Sequence, residues 1–397
     1  MYTQQDVLEF VQEEDVKFIR LAFFDLAGKQ KNISIMASEL HRAFKFGVSF
    51  DASAIEGFES PDRSELFLHP DPSTISVLPW RPSNGKVVRM FCDIRYADGK
   101  PYEKDCRNIL KKAVEYAEKK GVKFMFGTEL EFYLFKLDAD GNPTKTPFDN
   151  AGYMDVAPED RGENIRREIC FTLEQMGIKP EASHHEEGPG QNEIDFHYST
   201  PITAADNTVT FKWIVKTKAS SNGLYADFSP KPIANQPGTG MHINMSCNKV
   251  GEMQESAELM PYALAGVLKH IAEMTYYLNP VEDSYNRLGG CKAPKYISWA
   301  KGNRSQLIRI PDSKEIMRFE VRSPDAMCNP YLAFTLLIYA AMDGIENKLP
   351  LPESVEENLQ ALDENLAKDL GKLPDTVEAA KEASDCGFIN SIFTWTK

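Results

Sequence analysis

Four segments of the chain alternate apolar residues with residues whose side chains can bind cations or phosphate. In residues 124–135, Glu129 and Glu131 share one face, while Leu130 and Phe132 take the other. Strand side chains point alternately to the two faces of a sheet, so these carboxylates point the same way, roughly 6.6 Å apart. The other three polar sets are Glu193, Asp195 and His197; His242, Asn244 and Ser246; and Arg318, Glu320 and Arg322. The pattern predicts a sheet with one apolar and one polar face.

The first hundred residues read as a small β-rich region. Strand patterns occur at 18–24, 31–35, 76–80 and 87–91, and few helix patterns accompany them. From Asp105 onward, apolar residues recur with the spacing of one face of a helix, and this pattern stops before Gly121. We therefore place a domain boundary near residue 103.

The rest of the chain mixes strands with helices. Helices are predicted at 164–176 and 258–278, between strands that carry the polar sets. The chain lacks both a regular strand–helix alternation and a G-x-G-x-x-G turn, which argues against a dinucleotide fold. The fold class expected is α+β, with a mostly antiparallel sheet.

Composition narrows the ligands and the compartment. The chain has 397 residues, 42% of them apolar, and a formal charge of −14, which argues against nucleic acid as the main partner. Seven cysteines without a C-x-x-C pair are typical of reduced thiols in a cytoplasm. The N-terminus lacks a signal-peptide pattern, and the longest apolar run, residues 331–342, is too short to span a membrane. We expect a cytoplasmic protein without a membrane partner.

The polar sets combine carboxylates, imidazoles and guanidiniums. Hard oxygen ligands suit Mg²⁺ or Mn²⁺, which bridge phosphoryl oxygens, while arginine neutralises the remaining phosphate charge. The sets therefore indicate phosphoryl transfer. Taken singly, each has a plainer interpretation: Glu129 and Glu131 could form a salt-bridge ladder with nearby arginines, His184 and His185 could lie in a solvated turn, and His242 could be a core histidine. Burying so many carboxylates on one sheet face without cations would be costly, which favours the metal interpretation.

Several short motifs together resemble glutamine synthetase, in its bacterial type I form. They are FDASAIEGF (50–58), GTELEF (127–132), HHE (184–186), GQNE (190–193), GTGMH (238–242), NRS (303–305), IRIP (308–311), RFEVRSPD (318–325) and NPYLAF (329–334). The matches run in order from about residue 15 to about residue 360. The resemblance implies a small β-grasp-like domain, residues 1–103, and a catalytic domain, residues 104–397, with a curved, mostly antiparallel sheet flanked by helices.

The resemblance also implies a reaction and its ligands. ATP phosphorylates L-glutamate to a γ-glutamyl phosphate, and ammonium then gives L-glutamine, ADP and phosphate. Two or more Mg²⁺ or Mn²⁺ ions would serve each active site, with ATP as substrate. The metal ligands implied are Glu131, Glu186 and Glu193 near glutamate, and Glu129, His242 and Glu320 on the ATP phosphates.

Further roles follow from the same resemblance. Glutamate would be bound by Glu131, Gly238, His242, Arg287, Arg309 and Arg322, and the nucleotide by Glu181, Asn244, Ser246, Arg304 and Arg318. Arg304, Arg309 and Arg318 would spread the charge of the transferring phosphoryl group. Asp51 would complete the site of a neighbouring subunit and attract ammonium. Activity would then need a ring-shaped homo-oligomer, a hexamer or dodecamer, with active sites between subunits.

The sequence departs from the family pattern at four places. Lys292 stands where the family has a catalytic flap Glu, and a lysine with a pKa of roughly 10.4 is a poor general base near neutral pH. Pro237 precedes Gly238 where Asn is usual, and Ala52 and Ala54 replace Gly and Ser near Asp51. The chain stops after Lys397, earlier than is usual in the family, from which we expect a weakened double ring.

These departures leave three functions open. The first is glutamine synthesis, impaired if the Lys292 ammonium group enters the ammonium pocket. The second is ligation of another amine to the γ-carboxyl of glutamate. The third is a weakly active or non-catalytic homologue with a regulatory or binding role. Lys292 could also simply point to solvent.

Overall fold

The computed structural model describes residues 2–81, 84–252, 254–312, 317–361 and 367–396. The chain divides into two compact units. One comprises Met1–Lys112 with Phe171–Ile178, and the other Ala113–Cys170 with Lys179–Lys397. The domain boundary near residue 103 stays a prediction.

The first unit is built on a six-stranded sheet. Its strands are β1 (Val16–Phe24), β2 (Gln30–Met36), β3 (Val48–Asp51), β4 (Glu65–Pro70), β5 (Ser76–Val77) and β6 (Lys86–Arg95). They lie in the order β2-β1-β6-β4-β3, with β5 also paired to β6. β1 and β6 are parallel, whereas β1 and β2 are antiparallel. The four predicted strands are confirmed, although β5 is shorter than predicted, and β3 and β4 were not predicted.

Two helices of this unit escaped the sequence analysis, α1 (Gln4–Glu13) and α2 (Leu40–Phe46). α1 is stabilised locally, because the Thr3 hydroxyl accepts from the Asp6 N–H and the Asp6 carboxylate accepts from the Thr3 N–H. Only Val7 and Val11, one turn apart, are buried residues of α1. Such a narrow apolar stripe is a weak periodic signal.

The second unit holds a nine-stranded sheet in the order β13-β14-β15-β12-β7-β10-β9, with β8 and β11 also paired to β7. All pairs are antiparallel except β13 with β14. The strands are β7 (Val122–Leu137), β8 (Pro143–Pro147), β9 (Pro180–His185), β10 (Gln191–Phe196), β11 (Leu224–Asp227), β12 (Met241–Lys249), β13 (Trp299–Lys301), β14 (Ile308–Ile310) and β15 (Phe319–Val321). The predicted α+β class, with its mostly antiparallel curved sheet, is confirmed.

Two helices have residues in both units, α3 (Cys106–Lys119) and α4 (Glu163–Gln175). The helices of the second unit are α5 (Pro201–Ser221), α6 (Met260–Leu278), α7 (Glu282–Arg287), α8 (Pro330–Asn347), α9 (Val377–Ser384) and α10 (Gly387–Ile392). The predicted helices, one beginning at Asp105 and ending before Gly121 and the others at 164–176 and 258–278, are confirmed to within two residues. Within the described ranges, no helix is both long and apolar enough to cross a membrane.

The apolar face of the large sheet packs on helices. Phe126 of β7 stacks on Phe334 of α8, with ring centroids 4.4 Å apart, and Phe132 contacts Phe211 of α5. α6 and α8 pack closely enough that a Cβ on Gly344 would lie 2.7 Å from the backbone nitrogen of Gly266. With one face covered in this way, the alternate side chains of β7, β10 and β12 are left for the polar face.

Candidate active site

Strand register assembles the predicted polar residues into one row. In the centre, Glu129 of β7 lies opposite Asp195 of β10 on one side and His242 of β12 on the other. Glu131 lies opposite Glu193 in the same way. On the next strand, Glu320 of β15 pairs with Asn244 of β12. A cavity of about 390 Å³ opens on this face.

His242 joins two carboxylates in a compact group. Its Nδ1 atom lies 3.4 Å from Glu129 Oε2 and 3.3 Å from Glu320 Oε1. One ligand atom from each of the three residues lies within 4.8 Å of the others. Burial opposes ionisation of Glu129, but His242 and the Asn244 amide outweigh it and lower the pKa of this carboxyl to about 2. These three residues could hold a divalent cation.

Two arginines enclose Glu320, which is fully buried. Arg309 Nη1 donates to Glu320 Oε2 at 2.8 Å, and Arg322 Nη1 donates to Oε1 at 2.6 Å. The Nε atoms of both arginines are buried and, within the described part of the chain, have no hydrogen-bond partner. Of the two, Arg322 lines the cavity.

Asn244 connects this group to Arg318. Its amide nitrogen donates to Glu129 Oε1 at 2.8 Å, and its oxygen accepts from Arg318 Nε at 3.0 Å. Ser246 follows on β12 and is buried, whereas Glu181 on β9 is exposed.

A second acidic group gathers on the other side of Glu129. His184, Glu193 and Asp195 each place one ligand atom within 4.8 Å of the others. Burial, together with the neighbouring Asp195 and Glu131, raises the pKa of Glu193 well above its usual range. Burial and the charge of Glu129 raise the pKa of Asp195 to about 7. Carboxylates perturbed in this way fit a place where a cation binds.

Two further carboxylates implied as ligands line the same cavity. Glu131 Oε2 accepts from the Gly240 N–H at 2.9 Å and from Gln191 Nε2 at 3.1 Å. Burial and the charge of Glu131 raise the pKa of Glu186. Glu131, Glu186 and Glu193 thus share the cavity, but the compact group on this side contains Glu193 with His184 and Asp195. His184 was considered only as a turn residue.

A buried network behind Glu186 was not found from the sequence. His185 Nδ1 lies 2.6 Å from the Glu186 carbonyl oxygen, and its Nε2 lies 2.9 Å from Asp149 Oδ1. Burial opposes protonation, but these two acceptors raise the pKa of His185. Asp160 belongs to the same buried group and is paired with Arg166 at 2.6 Å. The residues of this network lie far apart in the sequence, between positions 149 and 192, so no local sequence pattern predicts their contacts.

Glycines make room for Arg287 at the cavity. A Cβ on Gly238 would lie 2.5 Å from the Pro230 carbonyl and 2.7 Å from Arg287 Cγ. Arg287 itself is 3% exposed and donates to the carbonyls of Ser323 at 2.8 Å and Arg322 at 3.2 Å. Only a residue without a side chain fits beside this guanidinium.

Comparison with known proteins matches this arrangement over nearly the whole chain. The family profile described as glutamine synthetase, catalytic domain, matches residues 103–394, and the profile for the glutamine synthetase beta-grasp domain matches residues 15–97. Glutamine synthetase of Methanosarcina mazei is 46% identical over 98% of this chain and 90% of its own length. The Staphylococcus epidermidis glutamine synthetase is 43% identical over 96% of this chain and 89% of its own. This chain belongs to the glutamine synthetase family.

Solved structures agree with that assignment. Plasmodium falciparum glutamine synthetase has a TM-score of 0.87 at 25% identity, covering 99% of this chain and 93% of that one. A GmaS complex with ADP has a TM-score of 0.87 at 27% identity, covering 98% and 94%. Glutamine synthetases are ATP-dependent ligases that use divalent metals, bind glutamate and ammonium, and form oligomers. The reaction of this chain is ATP-dependent synthesis of glutamine.

Two residues with roles implied by the glutamine synthetase resemblance lie away from the sheet. Asp51 is exposed in the first unit, where its Oδ1 atom accepts from the Ser53 N–H at 2.9 Å and from the Ser53 hydroxyl at 2.6 Å. Those hydrogen bonds lower the pKa of Asp51, which keeps it anionic. Arg304 lines the cavity in the second unit.

Lys292 lines the cavity and forms an ion pair with Glu187, while 54% of its side chain remains exposed. Entry of its ammonium group into an ammonium pocket stays a prediction. His197 differs from expectation. β10 ends at Phe196 after a register shift following Asp195, and His197 is exposed, so the prediction that it continues the polar row is wrong.

Proposed function

We propose that the cavity on the polar face synthesises glutamine through a γ-glutamyl phosphate, with ATP and glutamate bound at opposite ends of the row. The observation that carries this proposal is the compact group of Glu129, His242 and Glu320. Two carboxylates and an imidazole, one of the carboxylates fully buried, form a donor set suited to Mg²⁺ or Mn²⁺.

We propose two cation positions, of which the first is the compact group described above. Glu129, His242 and Glu320 would hold the ion on the ATP phosphates, and Glu131, Glu186 and Glu193 the ion near glutamate. The raised pKa values of Glu186 and Glu193 support the second position, because carboxylates that repel one another are stabilised by a shared cation. When bound, these ions neutralise and polarise the phosphoryl oxygens.

Arginines and the nucleotide-facing residues complete the proposal. Arg322, which lines the cavity, would bind the glutamate carboxylates, and Arg309 is assigned to phosphate by the family resemblance. Arg304 and Arg318 would stabilise charge on the transferring phosphoryl group, and Arg287 with Gly238 would line the glutamate pocket. We assign Asn244, Ser246 and Glu181 to the nucleotide.

Asp51 would act in a neighbouring subunit. Its exposure and its lowered pKa support a role in attracting ammonium, which an ionised carboxylate binds at neutral pH. We therefore propose a ring-shaped homo-oligomer, a hexamer or a dodecamer. Seven free cysteines support a cytoplasmic location.

The test is glutamine formation from ATP, glutamate and ammonium with Mg²⁺ or Mn²⁺, combined with calorimetry of nucleotide binding. Glu131→Gln and Glu320→Gln should weaken metal-dependent ATP binding by at least roughly 100-fold, since each removes a charge from a cation position. Glu118→Gln, which changes an exposed residue of α3, is the matched control. Metal-dependent ATP binding that survives both site substitutions would rule out the assigned cation positions.

Lys292 favours one second candidate, a ligase that uses another amine. A cation in the flap, where the family resemblance implies a carboxylate, alters the surroundings of the nitrogen nucleophile. A panel of amines assayed by phosphate release separates this candidate from glutamine synthesis. Lys292→Glu should raise the ammonium-dependent rate severalfold; equal and robust rates for both proteins would show that Lys292 does not limit that step. Binding of nucleotide and metal without turnover of any amine would instead indicate a regulatory homologue.

A further inference from the structure

The flap, residues 288–293, is joined to the opposite rim of the cavity by one ion pair. The ammonium group of Lys292 contacts the carboxylate of Glu187, and both side chains line the cavity. Their side chains are 54% and 35% exposed, so this pair lies at the mouth of the cavity and not in its floor.

Glu187 belongs to a turn that is fastened to the proposed ligands. Its N–H donates to Glu186 Oε2 at 3.0 Å. One residue further, the Gly188 N–H donates to Gln191 Oε1 at 2.9 Å, and Gln191 Nε2 donates to Glu131 Oε2 at 3.1 Å. These hydrogen bonds hold the turn that carries Glu187 against the proposed ligands. The ion pair from Glu187 would therefore resist movement of the flap away from the cavity.

The flap backbone needs such a restraint. Cys291 and Lys292 have φ values of +43° and +67°, in the left-handed region that residues with side chains rarely adopt. The Ala293 N–H donates to the Gly290 carbonyl at 2.9 Å and closes this turn within the flap. The ion pair to Glu187 adds a side-chain contact that joins the turn to another part of the cavity rim.

We propose that Glu187 and Lys292 form a latch that keeps the flap closed over the glutamate end of the cavity, with Glu187 as its positioning residue. The inference rests on the proposed function, because the closed flap would shield the γ-glutamyl phosphate. When the latch is broken, water attacks the acyl carbon of this intermediate, the acyl–oxygen bond to phosphate breaks, and glutamate and phosphate are released. ATP is then consumed without forming glutamine.

The rate at which Cys291 is chemically labelled measures opening of the flap in the absence of any reaction. It is exposed, lines the cavity and directly precedes Lys292. The other cysteines are buried or half-buried, and mass spectrometry of the labelled peptide distinguishes them. The measurement is the rate of Cys291 labelling by a neutral maleimide at pH 7, where Lys292 keeps its charge, divided by the thiolate fraction that a pH titration of the labelling rate gives for each protein. This comparison removes the effect of nearby charge on the thiolate fraction.

Glu187→Gln should raise the labelling rate per thiolate roughly two- to fivefold, the range for loss of a partly exposed ion pair. Lys292→Met should do the same, and the double variant should be no faster than either single variant, because the pair is already broken. Glu258→Gln breaks a surface ion pair with Lys249 and is the matched control, which should label like the wild type. Unchanged labelling in Glu187→Gln, or additive effects in the double variant, would overturn the latch.

The second readout is the ratio of glutamine formed to phosphate released. Glu187→Gln should lower this ratio severalfold while the KM for ATP stays within about twofold, a split that general unfolding would not produce. A ratio equal to that of the wild type would also overturn the latch. If the wild type forms no glutamine, the proposed function fails, and the labelling experiment still decides whether the latch exists.

Discussion

Asp105 is a buried carboxyl group of the first unit, 3% exposed and directly before α3. It accepts from the Ile94 N–H at 2.9 Å and from the Arg107 N–H at 3.1 Å. Burial, aided by the charge of Asp93, nevertheless raises its pKa to about 6. The folded state therefore binds this proton more tightly than the unfolded state, whose carboxyl has an ordinary pKa.

Because the folded state holds the proton more tightly, protonated Asp105 stabilises the folded protein. This stabilisation is complete below the pKa of an unfolded aspartate and is lost as the pH rises through about 6. Relative to Asp105→Asn, the wild type should lose roughly 2 kcal/mol of unfolding free energy between about pH 4 and about pH 7. Urea unfolding of both proteins across this range measures the difference. Parallel pH profiles would contradict the assignment.

At the scale of single residues, local alternation was enough to find Glu129, Glu131, His242 and Glu320. Each of these lies in a strand, where the neighbours in sequence reveal which face a side chain takes. Asp149, His184 and the partner of Lys292 were beyond that reasoning. Their roles depend on contacts between residues far apart in the chain, such as Glu187 with Lys292, which no local pattern encodes.

Among the elements, the crossing of α6 and α8 depends on two glycines. A Cβ on Gly344 would collide with the Tyr262 carbonyl oxygen and lie 2.7 Å from the backbone nitrogen of Gly266. Alanine favours helix by about 1 kcal/mol over glycine. Here the close approach of two backbones should outweigh that preference.

Gly344→Ala should accordingly lower the free energy of unfolding by about 1–3 kcal/mol, the usual range for overpacking. Gly387→Ala is the control, because a Cβ on Gly387 meets nothing within 4 Å at the start of α10. Urea unfolding of the two variants and the wild type gives the comparison. A Gly344→Ala protein as stable as the control would show that the helices separate at little cost.

Element predictions succeeded where the apolar stripe was wide and failed where it was narrow. α3 and α6 were found because several apolar residues recur on one face. α1 was missed because Val7 and Val11 alone are buried, and α5 because it is buried on several sides and its apolar residues do not form one stripe. The pairing order of the nine-stranded sheet lay outside any local signal, since it joins strands separated by long stretches of chain.

The whole molecule carries a charge of −14, and the cavity concentrates part of it. Without a cation, the carboxylates of Glu129, Glu131, Glu193 and Asp195 repel one another across the strand pairs. A ligand that binds only the folded state stabilises it according to its concentration over its dissociation constant. Metal binding should therefore be visible in unfolding experiments on the intact protein.

Mg²⁺ or Mn²⁺ at about 100 times its dissociation constant should raise the unfolding free energy by about 2.7 kcal/mol. KCl at matched ionic strength controls for screening. Glu193→Gln should make the metal-free protein more stable and reduce the gain from metal, because one repelling carboxylate is gone. Thermal unfolding with and without chelator checks both effects. An equal gain in the variant would argue against Glu193 as a ligand.

The register that aligns Glu129 with Asp195 and His242 has a consequence for biosynthesis. The donors proposed for the cation on the ATP phosphates come from β7, β12 and β15, and β15 is the last strand of the large sheet in chain order. Nascent chain leaving the ribosome cannot complete this donor set until Glu320 has emerged. Because non-local strand pairing is slow, we expect this ion to bind late in folding and not to act as an early template.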